Sequence, residues 1–256
     1  MKIQQVSFDY QNKKIGGLLY IPEKNKKFPA VIFVHGFGGG VHKSKNKFMC
    51  EKLAETGIVT LMFDFYDCPN KLSEIPCEEM TLTLQLKILK KAIDFVYSLD
   101  YVNKDKIGLT GHSMGGMTSL LYTPSDKRIK VLVLQSPAVD LYQSPLFSEE
   151  LLQQWKEQGY YNFDKSWGIM KVNYTFVEDY KKYDIFKEAE KINLPILMFN
   201  GDIDRTTPLG VAKELIPHFK NCQFKVIKNG THLYKKPGTL EQATDLLVEF
   251  MKKNLK

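Results

Sequence analysis

Four short stretches hold the residues best suited to chemistry. Residues 111–116 read GHSMGG and follow the apolar run KIGLT, so Ser113 stands between glycines at the end of a predicted buried strand, where a hydroxyl gains nothing from burial. The pattern G-x-S-x-G between a strand and a helix marks a sharp turn that presents a nucleophilic serine. The serine backbone is strained there, and side chains in place of Gly111 or Gly115 would crowd it. A second glycine-rich turn, His35 to Gly40 of FVHGFGGG, closes the predicted third strand. Such a loop can aim a backbone N–H, that of Phe37, at the point where a tetrahedral oxyanion forms, and Met114 supplies a second donor directly after the serine. A nucleotide loop is excluded by spacing. In GFGGGVHKS, Phe37 and His42 occupy the two glycine positions of a P-loop, and Val41 and Lys43 break both registers of G-x-G-x-x-G.

The other two stretches are the late loops NGDIDRTTP (200–208) and KNGTHLY (228–234). A serine hydroxyl is a poor nucleophile without a base, and an imidazole is an effective base when a carboxylate fixes its tautomer and stabilises its cation. The acidic loop offers Asp202 and Asp204. Of the five histidines, His232 alone occupies a glycine-containing loop between a late predicted strand and the last helix, which makes it the expected base.

These loops need elements to hold them. VSFDY and KIGGLLYIP flank a polar turn and predict an opening antiparallel hairpin. PAVIFVHG, IVTLMFDF, KIGLTGHS, IKVLVLQSP and LPILMFNGD are short apolar runs of the kind buried on both faces of a parallel sheet. Helical patterns lie between them: NKFMCEKLAETG, ending at Gly57; EEMTLTLQLKILKKAIDFVYSL; PLGVAKELIPHF; and TLEQATDLLVEFMKKNL, with an expected capping box from Thr239 to Gln242. Alternating strands and helices predict an α/β fold, a mostly parallel central sheet with helices on both faces. Residues 138–190 break the alternation. Positions 142 to 186 hold 12 of the 31 aromatic residues, both tryptophans among them, in an interval too long for an ordinary connection. An inserted cap or lid is expected there, with Trp155 and Trp167 as candidate walls of an acyl or aryl pocket.

HGFGGG, GHSMGG, NGDIDRTTP and GTH, in this order and context, give a sequence that resembles the α/β-hydrolase superfamily over nearly its whole length. Within it the chain is similar to serine esterases and lipases with a cap inserted after the sixth strand, including feruloyl or cinnamoyl esterase-like and monoacylglycerol lipase-like members. The resemblance implies one domain over 1–256 with its cap at 138–190, Ser113 as nucleophile, His232 as base and Asp204 as acid, since the family aspartate lies four positions before a proline, here Pro208. It also implies that His35 and His112 orient loops without taking part in chemistry. One departure stands out: FDFYDCPNKLSEIPC replaces an arginine- and glycine-rich stretch after the fourth strand, where Tyr66, Asp67 and Cys68 read as ordinary loop residues or, alternatively, as residues that shape the active-site rim.

Composition narrows the alternatives. The chain has 256 residues, 43% hydrophobic and 25% charged, as in an ordinary globular protein. No apolar run approaches membrane-spanning length and the N-terminus lacks a signal-peptide core, so a cytoplasmic protein without stable membrane insertion is expected. The net charge of +7 comes almost wholly from lysine, Arg128 and Arg205 being the arginines, which argues against nucleic acid as a partner. Lys43, Lys45 and Lys47 read as a solvated helix start. The four cysteines, Cys50, Cys68, Cys77 and Cys222, form no metal or redox motif and are expected as free thiols. No metal or organic cofactor is called for. The expected activity is hydrolysis of a small-molecule carboxylic ester through an acyl-enzyme. Two alternatives remain: a serine peptidase of the same fold, anchoring a peptide amine on Glu149, Glu150, Glu178 or Asp179, and a non-catalytic binding protein on the same scaffold.

Overall fold

A computed structural model describes residues 1–23, 27–68, 72–144 and 147–255. The opening hairpin is β1 (Lys2–Tyr10) and β2 (Lys13–Ile21), followed by β3 (Phe28–Val34), α1 (Ser44–Glu55), β4 (Val59–Phe63), α2 (Leu82–Ser98), β5 (Val102–His112), α3 (Met114–Tyr122) and β6 (Ile129–Gln135). After β6 come α4 (Glu149–Gln158), β7 (Tyr160–Lys165), β8 (Gly168–Asn173), α5 (Thr175–Tyr180) and α6 (Ile185–Glu190). The chain then supplies β9 (Ile196–Gly201), α7 (Leu209–Leu215), β10 (Cys222–Ile227) and α8 (Thr239–Asn254). Eight strands form one sheet in the order β1-β2-β4-β3-β5-β6-β9-β10. β2 pairs antiparallel with β1 and β4, and every pairing from β4 to β10 is parallel.

The apolar runs are strands because both of their faces are covered. Along β3, Val31 and Phe33 point to the side of α1 and α8, where they meet Met49, Leu53, Leu247 and Met251. Ile32 and Val34 point the other way, into a core with Leu89 and Ile93 of α2 and Leu120 of α3. β1 and β10, at the two edges, alternate in burial. The predicted helix at 78–99 begins later than its apolar pattern. Thr81 caps α2 by accepting from the Leu84 N–H at 3.0 Å, and residues Cys77–Glu79 form a single 3-10 turn instead.

The aromatic segment after β6 is folded around its rings. Trp155 is 0% exposed, its Nε1–H donates to the Val172 carbonyl at 2.8 Å, and its ring stacks 5.9 Å from Phe176 and meets the edge of Phe163 at 5.3 Å. The segment is fastened to α2: the Asp179 carboxylate accepts from the Thr83 N–H and Thr83 Oγ1, both at 2.7 Å, and from Lys182 Nζ at 2.8 Å. Its rings join the same apolar cluster as α2 and α3.

Three expectations are corrected. The capping box at Thr239 does not form; Gly238, in the left-handed region, is the N-cap, and the Thr239 hydroxyl donates to the Lys236 carbonyl. Cys68 and Cys77 are disulfide-bonded, because the loop folds back through Asp67 N–H to Ile75 O at 2.7 Å and Cys77 N–H to Asp67 Oδ1 at 3.1 Å. Lys45 is not solvated at its end: its amine is buried without a hydrogen-bond partner, 5.4 Å over the Tyr234 ring, and burial pushes its pKa down to about 7.

Replacing a wholly enclosed tryptophan by alanine removes packing on every side, so Trp155→Ala is expected to cost about 3–5 kcal/mol. Trp167, half-buried in the turn between β7 and β8, has less to lose. Urea unfolding of both variants checks the contrast, and equal losses would refute it.

Candidate active site

The serine turn is built on backbone contact. Ser113 lies between β5 and α3 at φ 57° and ψ −122°, a conformation that costs of order 1–3 kcal/mol in a residue with a β-carbon. Nothing larger than hydrogen fits beside it. A β-carbon on Gly111 would stand 2.1 Å from the Gly115 carbonyl oxygen, and one on Gly115 would stand 2.3 Å from that of Val34. The turn is thereby pressed against the end of β3, which places the glycine loop after β3 next to the serine: a β-carbon on Gly36 would lie 3.0 Å from Ser113 Cβ. Phe37 and Met114, the expected oxyanion donors, adjoin Gly36 and Ser113 respectively. Burial holds His35 in its neutral form, in which Nδ1–H donates to the Gly36 carbonyl at 2.9 Å and Nε2 accepts from the Phe65 N–H at 3.3 Å. His35 therefore shapes the loop.

The acid and base loops meet because β9 and β10 are parallel neighbours ending at the same edge. Gly201 and Gly230 let the two loops touch; a β-carbon on Gly201 would stand 2.0 Å from the Gly230 oxygen. His232 Nδ1–H donates to Asp204 Oδ2 at 2.9 Å. Asp204 also accepts from the N–H groups of Thr206 and Thr207 and from Thr207 Oγ1, each at 2.9 Å. Burial pushes its carboxyl up, but the His232 and Thr207 donors outweigh burial and hold it below the usual carboxylate range. Asp202, two residues away, is exposed. His112, next to Ser113 in sequence, donates from Nε2 to the His232 carbonyl at 2.8 Å, and the two rings lie 4.6 Å apart. Burial keeps His112 neutral as well. It thus ties the base loop to the serine turn.

An imidazole held at Nδ1 by a buried carboxylate keeps Nε2 as the acceptor, the arrangement that lets it take a proton from a hydroxyl. Thr207, whose hydroxyl lies 2.9 Å from Asp204 Oδ2 and 3.2 Å from His232 Nδ1, has no distinguishing sequence signal beyond its place before Pro208. The Phe37 ring meets Phe163 edge-on at 4.9 Å and Phe147 at 5.8 Å, so the segment after β6 rests on the glycine loop. Trp155 lies behind those rings and faces no cavity. The acids available to a peptidase divide: Glu149, Glu150 and Glu178 are exposed, and Asp179 is spent on Thr83 and Lys182. Among the described residues, Asp67, Cys68 and Cys77 are grouped closely enough to hold a metal ion, but the two sulfurs are bonded to each other.

Comparison with known proteins places the chain among hydrolases. The prolyl oligopeptidase family matches residues 86–256, and the dienelactone hydrolase family matches residues 15–142. Esterase FrsA of Vibrio parahaemolyticus is 24% identical over 99% of this chain and 59% of its own length. The quorum-quenching protein AidA of Acinetobacter baumannii is 26% identical over 55% of this chain and 46% of its own. The chain thus spans about half the length of these curated relatives. The structure of Est1E from Butyrivibrio proteoclasticus with ferulic acid bound has a TM-score of 0.82 at 26% identity, covering 97% of this chain and 98% of that one.

Asp204→Asn should lower kcat by up to about ten-thousandfold, as loss of the orienting carboxylate does in the best-studied triad, while Asp202→Asn should stay near wild type. The reverse ranking in two folded variants would overturn the choice of acid. Because the folded Asp204 carboxyl sits below its ordinary value, its contribution to stability is complete above pH ~4 and drains away as pH falls further. Thermal melts of Asp204→Asn across that range should therefore show a shallower acid dependence than wild type.

Proposed function

The chain belongs to the α/β-hydrolases of the prolyl oligopeptidase and dienelactone hydrolase families, and from that premise we propose that it is a serine hydrolase of carboxylic esters. The observation that carries the reading is the Asp204–His232 bond at 2.9 Å, tied through His112 to the strained turn of Ser113. Ser113 Oγ attacks the ester carbonyl while His232 Nε2 takes its proton. The carbonyl oxygen becomes an oxyanion, held by the N–H groups of Phe37 and Met114. Collapse expels the alcohol, which leaves with the proton from His232. Water, deprotonated by the same imidazole, then attacks the acyl carbon; the second oxyanion collapses, the bond to Ser113 Oγ breaks, His232 returns the proton to that oxygen, and the carboxylic acid leaves. Every proton and electron pair in this cycle is handled by the chain and its substrate, so no metal or cofactor is required.

Residues 138–190 act in this reading as a cap over the glycine loop, with Trp155 as its core and Trp167 on its half-exposed turn as the tryptophan still placed to meet a substrate. The similarity to Est1E with ferulic acid bound, and to esterase FrsA, supports an ester as the small-molecule substrate. The expected cytoplasmic location is kept in the proposal on the absence of a membrane-length apolar run, and the Cys68–Cys77 bond stands against it, since a reducing cytoplasm would keep both as thiols. Among the described residues, no helix is long and apolar enough to cross a membrane.

The peptidase reading has the prolyl oligopeptidase match in its favour. A panel of p-nitrophenyl esters run beside aminoacyl anilides separates the two, with turnover of esters expected. A fluorophosphonate probe should label Ser113, and Ser113→Ala should abolish labelling and turnover together. Labelling at another serine, or full turnover in the variant, would refute the mechanism.

A further inference from the structure

The hairpin of β7 and β8 brings a cation to the reaction site. Side chains two apart on a strand share a face, so Phe163 and Lys165 of β7 point together toward the glycine loop while the exposed Asp164 points away. Met170, opposite Phe163 in the pairing, joins them. A β-carbon on Gly38 would stand 3.2 Å from Lys165 Cε and 3.7 Å from Met170 Sδ, so the lysine stem runs along the loop itself. Its ammonium lies 4.8 Å over the Phe37 ring and 5.3 Å from that of Phe163. The loop residue beneath is the proposed oxyanion donor, one position from Gly36, which packs on Ser113.

What distinguishes this lysine is that it is half-buried. The other lysines of 138–190, Lys156, Lys171, Lys181, Lys182 and Lys187, are all exposed, and Lys182 and Lys187 are paired with Asp179 and Asp184. Lys165 has no acidic partner among the described residues. Burial pushes its pKa down and the nearby positive charge of Lys43 pushes it further, with no carboxylate opposing them. Aromatic faces offset part of the cost of a half-desolvated ammonium but accept no hydrogen bond from it. Its donors are left to something that is not part of this chain.

We propose that Lys165 selects esters bearing a carboxylate, accepting that group above the oxyanion loop while the ester carbonyl lies on Ser113. The inference rests on the ester-hydrolase reading and names the substrate class of the same site. The carboxylate can belong to the acyl part or to the alcohol part of the ester, and the substrates of the test tell these apart.

The experiment measures kcat/KM for two pairs. The acyl pair is the 4-nitrophenyl monoester of succinic acid against 4-nitrophenyl butyrate; the alcohol pair is the butyrate ester of 4-hydroxybenzoic acid against that of its methyl ester. In wild type the anionic member of one pair is expected to be the better substrate, and added salt should erode its advantage. Lys165→Met keeps the apolar stem and removes the charge, and should lower the anionic-to-neutral ratio of that pair about tenfold, the size of one charge-assisted hydrogen bond. Lys165→Arg should restore most of the ratio, and Lys165→Glu should push it below that of Lys165→Met. An unchanged ratio in Lys165→Met, or a wild type that prefers the neutral member of both pairs, overturns the proposal. A lysine that merely packs against Phe37 would lower all four rates together and leave the ratios fixed. Failure of the underlying reading looks different: no ester of either kind is turned over and Ser113 takes no fluorophosphonate label.

Discussion

Three backbone segments meet at Gly111, Gly115 and the end of β3 with no room for a side chain between them, and the positions of Ser113 and of the glycine loop beside it follow from that contact. Because the Gly115 position lies against the Val34 and His35 carbonyls, α3 starts where β3 stops. The loop that leaves β3 must then pass Ser113 at van der Waals distance. The strain in Ser113 is held in place by close packing on all sides, the condition under which an unfavourable backbone conformation persists.

A second close contact, Gly201 on Gly230, does for the acid and base what the first does for the nucleophile. It brings two loops from neighbouring parallel strands together, so that Asp204 can be buried and still be satisfied by four donors. A buried carboxylate with fewer donors would take up a proton; this one is held ionised, which is what the imidazole needs from it. His112 and His35, both neutral and both bonded to backbone carbonyls, keep the loops in register with the serine turn. Five histidines thus include one bonded to a buried carboxylate and two that serve as braces, a division that follows from which nitrogen faces a carboxylate and which a peptide group.

The segment after β6 is joined to this frame at two places of different character. Asp179 grips the first turn of α2 through charge and hydrogen bonds, and Phe163, Phe147 and Phe176 rest on Phe37 through their rings. The rings that make the segment conspicuous in composition are mostly consumed in holding it together, Trp155 above all. The side of the β7–β8 hairpin that lies on the glycine loop carries Phe163, Met170 and the half-buried Lys165.

Period and punctuation in the chain were enough to place the strands of the central sheet, the serine turn, the glycine loop and the His232 loop, but not the β7–β8 hairpin, because each of the former depends on local backbone requirements: buried strands need apolar runs, and tight turns need glycine. The residues alone left Asp202 and Asp204 open; the resemblance to the hydrolases favoured Asp204, and burial of one beside exposure of the other agrees with it. Features made by distant segments left no such trace. The Cys68–Cys77 pairing depends on a loop that doubles back, and the burial of the Lys45 amine on where the Tyr234 ring comes to rest. Trp155 reads as a pocket wall in composition and is a core residue in space, since an aromatic ring has the same local signature whether it faces a ligand or other rings. Lys165 is one lysine among many in the chain; its lack of an acidic partner, and its place over Phe37, exist only once β7 has been laid across the loop that follows β3.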